Sequence, residues 1–135
     1  MSEERFFKKM KFTDEEIKGY LKNALKDLKI AKGQNIAEVK FNYAYTALLK
    51  SGIAIIAGVK NLKARTMPGH HIKILEMMSK ILNDDSIFEV GNAMRMKRNI
   101  DLYGEGIMIT HKESQDYYNF VEKVIDKVKK ILEKK

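Results

Sequence analysis

Cysteine is absent from this chain of 135 residues, which excludes a disulfide framework and any thiolate metal site. Tryptophan is absent too, proline occurs once, at Pro68, and glycine only eight times. Few positions therefore interrupt a helix, and strong helix formers fill most of the remainder. No apolar run approaches the roughly 18 to 20 residues of a membrane span. The opening stretch MSEERFFKKMKF alternates charge with aromatic side chains and has no apolar segment of the secretory-signal kind. Also missing are a Gly-rich phosphate loop ending in Lys-Ser or Lys-Thr, a Gly-x-Ser-x-Gly elbow and an acidic metal-binding loop. These absences give the expectation of a cytoplasmic protein outside the membrane, with no metal and no cofactor.

What is present is charge of one sign. Lys and Arg number 26 against 18 acidic residues, a formal charge of +8, which favours polyanions such as RNA, DNA or nucleotide phosphates through long-range attraction. Only four of those cations are arginines (Arg5, Arg65, Arg95 and Arg98), and lysine-rich stretches such as KVIDKVKKILEKK equally describe a solvated helix face.

The hydrophobic spacing predicts an all-α chain, a single domain over residues 1–135 built as an antiparallel four- to five-helix up-and-down bundle. Thr13-Asp-Glu-Glu16 is a capping box, followed by apolar positions at helical spacing up to Gly33. Asn35 and Glu38 open a second helix to about Gly58, apolar on nearly every side and so expected in the middle of the bundle. VKNLKARTMPGHH lacks periodicity and holds the one Pro-Gly pair, which predicts a loop leading into a third helix, HIKILEMMSKIL. The run Asn83 to Ser86 ends that helix and caps a fourth, which starts near Ile87 and stops before Gly104. Thr110-His-Lys-Glu113 is a second capping box and starts the fifth.

On the fourth helix, Ile87, Val90, Met94, Arg98 and Asp101 fall at steps of three and four, so Arg98 continues an apolar stripe. A guanidinium there requires a partner, either Asp101 or an acid of a neighbouring helix, or else a pocket or interface that uses its charge. Arg95, Asn99 and Tyr103 lie beside it and complete a polar band about 140° wide. Two arginines, a carboxamide and a phenol suit a phosphate, with or without its base. His70 and His71, at the start of the third helix, point about 100° apart and so lack the i, i+4 geometry of a helical metal chelate. They fit a cap, a loop contact or an anion site that supplies a base. Phe41, Tyr43, Tyr45, Tyr117, Tyr118 and Phe120 recur at core spacing, and His111 reads as surface.

Arg98-Asn99 followed by Tyr103, on the penultimate helix of a small helical chain, resembles the signature of HEPN domains. The small-residue-rich helix FNYAYTALLKSGIAI and the histidines before the third helix extend the resemblance over most of the chain. The resemblance implies a homodimer in which motif helices face each other, and an association with nucleotides or RNA. It also implies one of two activities: a binding module forming half of a toxin–antitoxin pair, with a small nucleotidyltransferase as partner, or a metal-independent endoribonuclease. In the second case Arg98, with Asn99 beside it, would stabilise the charged phosphate, and Tyr103 or a nearby histidine would be recruited. The family's histidine position is held here by Tyr103, and a phenol is a poor base at neutral pH. A purely structural dimer, with Arg98 in an interface ion pair, is the third alternative. Arg95, Arg98, Asn99, Tyr103, His70 and His71 are the candidate ligand-binding residues, and Arg98, Asn99 and Tyr103 the candidates for catalysis.

Overall fold

The computed structural model describes residues 5–103 and 108–134, and the side chains of residues 100–103 are outside what is described. In chain order the elements are β1 (Phe7–Lys9), α1 (Asp14–Lys32), α2 (Ala37–Lys60), β2 (Leu62–Ala64), α3 (His70–Leu82), α4 (Asp85–Tyr103) and α5 (His111–Glu133). The expected helical character and the five helices are observed. No described helix is long and apolar enough to cross a membrane.

Both capping boxes form. The Thr13 hydroxyl accepts from the Glu16 backbone N–H at 3.1 Å while Glu16 accepts from the Thr13 N–H at 3.0 Å. Thr110 and Glu113 repeat the exchange at the start of α5, at 3.0 Å in both directions. In each box two side chains reciprocally satisfy two N–H groups that the helix itself leaves open. The start of α2 departs from expectation: Ile36, not Asn35, occupies the N-cap, and no side chain caps it. That helix is held by burial instead. Phe41, Tyr45, Leu48, Ile55 and Ile56 are fully enclosed, each stabilising the fold by about 1.5–3 kcal/mol relative to exposure.

The directions of the helices correct the up-and-down expectation. Lys40 donates to the Ala31 carbonyl at 3.2 Å, and Gly58 near the end of α2 meets Ile17 near the start of α1, so these two helices are antiparallel. α5 is parallel to α2, because Ser114 donates to the Ala37 carbonyl at one end and Leu132 packs on Gly58 at the other. α3 also runs with α2: His71 lies beside Tyr45, and Ile74 and Met78 lie beside Gly52. α4, like α1, runs against α2, with Gly91 against Leu48 and Leu75, and Arg98 over Tyr45.

The connection of residues 61–69 makes the parallel α2–α3 pairing possible. Extended chain covers about 3.3 Å per residue against about 1.5 Å in a helix, so nine residues carry the chain back along most of α2. Part of this stretch, expected as loop, is β2. It pairs antiparallel with β1, in the register Phe7↔Ala64 and Lys8↔Lys63, with Phe7 turned into the core. The start of α3 is thereby delivered beside the middle of α2 and the last turns of α4.

Candidate functional site

Gly69, at a φ of 84°, turns the chain into α3 without a side-chain cap and with no acid in the first turn. A positive φ is a conformation that glycine adopts without steric penalty. The turn places His70 and His71 at the positive end of the helix dipole, where anions are favoured. Across from them, Gly91 lets α4 approach closely, since a Cβ there would lie 2.6 Å from a Leu75 methyl. One turn further on, Arg95 faces α3.

Between these elements is a surface cleft of about 730 Å³, lined by residues 66–72 together with Arg95 and Asn99, with no acidic side chain among the described residues of that lining. Arg95 is anchored by its Nε, which donates to Asn92 Oδ1 at 2.9 Å and leaves its outer nitrogens for a ligand. Behind the cleft, the Tyr45 hydroxyl and Nδ1 of His71 are 3.0 Å apart. The Arg98 guanidinium carbon lies 5.5 Å from the centre of the Tyr45 ring. The stripe from Ile87 through Met94 does lead Arg98 towards α2, but the arginine is exposed and covers an aromatic face, a contact worth about 0.5–1 kcal/mol. The side chain of Asp101, its expected partner, lies outside the described residues.

Charge and burial act together on this group. Burial pushes the Tyr45 phenol up to about 12, against the opposing pull of Arg98 and Arg95. Burial also lowers His71, and His70, Arg98 and Arg95 add to the effect, so that its pKa falls to about 4. His71 is therefore neutral at pH 7, mainly through burial, and an anion placed beside it would offset the smaller part that the neighbouring cations contribute.

The four arginines of the chain all lie around the start of α3. The Arg65 N–H donates to the Phe6 carbonyl at 2.7 Å, Arg5 lies 5.6 Å from the Phe6 ring centre, and that ring is close to Gly69 and 5.5 Å from Lys73 Nζ. Sequence spacing had no means of joining Arg5 and Arg65 to Arg95 and Arg98, because the β1–β2 pairing brings the first two there. Tyr45 was also not legible as a site residue; it reads as core from its spacing, and it is core, with its hydroxyl as the exception.

Of the sequence candidates, His70, His71, Arg95 and Asn99 share the cleft, and Arg98 stands at its rear on Tyr45. The side chain of Tyr103 lies outside the described residues. His111 is exposed, as expected, and no group of three or more potential metal ligands occurs among the described residues. A second depression, of about 390 Å³ and lined by Asp14, Lys18 and Glu133 among others, mixes charges of both signs and gathers no comparable set of cations. Compared with protein-family models, curated proteins and solved structures, the chain matches none.

Proposed function

We propose that this chain binds the phosphate of a nucleotide or of RNA in the cleft between the start of α3 and α4. The observation that carries the reading is the meeting of Arg95, His70 and His71 around one opening that has no acid among the described residues lining it, with Arg98 behind it. Guanidinium nitrogens, imidazole and a helix N-terminus are complementary to phosphate oxygens. The resemblance of Arg98, Asn99 and Tyr103 to the HEPN signature belongs to the same proposal, as do a homodimer and a nucleotidyltransferase partner in a toxin–antitoxin arrangement.

The deciding experiment is calorimetric titration of AMP and of a mixed-sequence RNA into the parent chain, Arg95→Ala and Arg98→Ala. The expected result is at least tenfold weaker binding by Arg95→Ala, with a shallower dependence on salt. Equal affinity across the three proteins would defeat the reading.

The two histidines favour a second reading, a metal-independent endoribonuclease, since they place imidazole beside the arginines although the HEPN-like motif lacks its histidine. RNA cleavage that survives EDTA and is lost in Arg98→Ala or His70→Asn would establish it. An uncut substrate would leave the binding module.

A further inference from the structure

The hydrogen bonds that anchor the two histidines give them opposite tautomers. His70 Nδ1 lies 2.6 Å from the Met67 carbonyl oxygen. A carbonyl only accepts, so Nδ1 carries the proton and Nε2 of neutral His70 holds a free lone pair. The Tyr45 hydroxyl is fully buried and 3.0 Å from His71 Nδ1, and among the described residues it has no other acceptor, so the assignment that leaves no buried O–H unpaired is donation from Tyr45 to His71 Nδ1. Neutral His71 therefore carries its proton on Nε2. The two rings are 4.4 Å apart between centroids, both on the cleft, with Arg95 on the facing helix.

An isolated phosphate calls for donors alone, and a lone pair beside it is repulsive. A donor nitrogen next to an acceptor nitrogen instead matches a ligand that carries a hydroxyl next to an anionic oxygen. We infer that the cleft selects ribose phosphates. The phosphate takes the N–H of His71 and the guanidinium of Arg95, and the hydroxyl on the adjacent sugar carbon donates to Nε2 of His70. The inference rests on the phosphate-binding reading and narrows its ligand class from nucleotides in general to ribonucleotides, since the 2′-hydroxyl is what distinguishes them from deoxyribonucleotides.

The test compares adenosine 3′-monophosphate with its 2′-deoxy counterpart by calorimetry on the full chain at pH 8, where free imidazole is neutral. One neutral hydrogen bond predicts a preference of about tenfold for the ribose form. His70→Asn keeps an amide N–H for Met67 and deletes the Nε2 acceptor. It should bind both nucleotides equally, with the affinity of the parent for the deoxy form. Arg95→Ala should weaken both by the same factor. Equal binding of the two nucleotides by the parent overturns the inference, and so does a ribose preference that persists in His70→Asn, while in both cases phosphate binding stands. Binding of neither nucleotide, or indifference of both to Arg95→Ala, defeats the phosphate reading itself and the inference with it.

Discussion

The Tyr45 hydroxyl lies 3.0 Å from Nδ1 of His71 and ties the centre of α2 to the first turn of α3. Through this one bond the best-packed helix of the bundle sets the orientation of an imidazole on the surface cleft. Arg98, its guanidinium carbon 5.5 Å from the ring centre, contacts the same phenol ring from α4.

Tyr45→Phe removes the bond and keeps the ring in the core. A loss of about 1 kcal/mol in unfolding free energy is expected, the usual worth of one such hydrogen bond. Nitrogen-15 chemical shifts of His71 should move from one dominant tautomer to a mixture. Shifts identical to those of the parent would show that Tyr45 does not orient the ring.

Acid should weaken the fold through His71. Its pKa in the folded chain, about 4, is below the ordinary 6.5, so the unfolded chain binds more protons between those values. Stability accordingly rises with pH from about 4 to 6.5 and is flat in this respect above. The ring is half-buried, and after allowance for solvent screening the effect is about 1 kcal/mol. Urea titrations of the parent and His71→Asn at pH 4.5 and 7.5 isolate it, because other titrating groups cancel in the difference. A pH dependence identical in the two proteins would remove His71 as its source.

Gly91 sets the separation of α3 and α4. In Gly91→Ala the new methyl would meet Leu75 at 2.6 Å and Leu48 at 3.4 Å, and both leucines are enclosed. Overpacking of this kind costs about 1–3 kcal/mol, partly offset by the better helix propensity of alanine. Thermal unfolding should move down, and nucleotide affinity should fall as Arg95 is pushed away from His71. A variant more stable than the parent would show that the leucines can move aside.

Asp27 is buried and paired with Lys50 at 2.8 Å, joining α1 to α2. Lys50→Met leaves the carboxylate without its cation and should cost about 2 kcal/mol, below the range for fully buried pairs because Lys50 is partly exposed. Adding Asp27→Leu should restore most of that loss. A double variant no more stable than Lys50→Met would mean that the aspartate has a second role.

The sequence by itself determined the helices, because their signals are local. Thr13 with Glu16 and Thr110 with Glu113 satisfy N–H groups within one turn, and apolar spacing marks the buried face of each helix whatever it packs against. It also determined that α2 would be central and that Arg98 would turn towards the core side of α4. The chain's direction between α2 and α3 was decided only by tertiary structure. Residues 61–69 read as a loop because the pairing of Leu62–Ala64 needs Phe7–Lys9, more than fifty positions away in the chain. The same is true of the site. His71 and Tyr45 are 26 residues apart, and nothing in either segment encodes the other. The lowered pKa of His71 depends on burial and on the arginines brought beside it, and such long-range electrostatics exist only once the helices have packed.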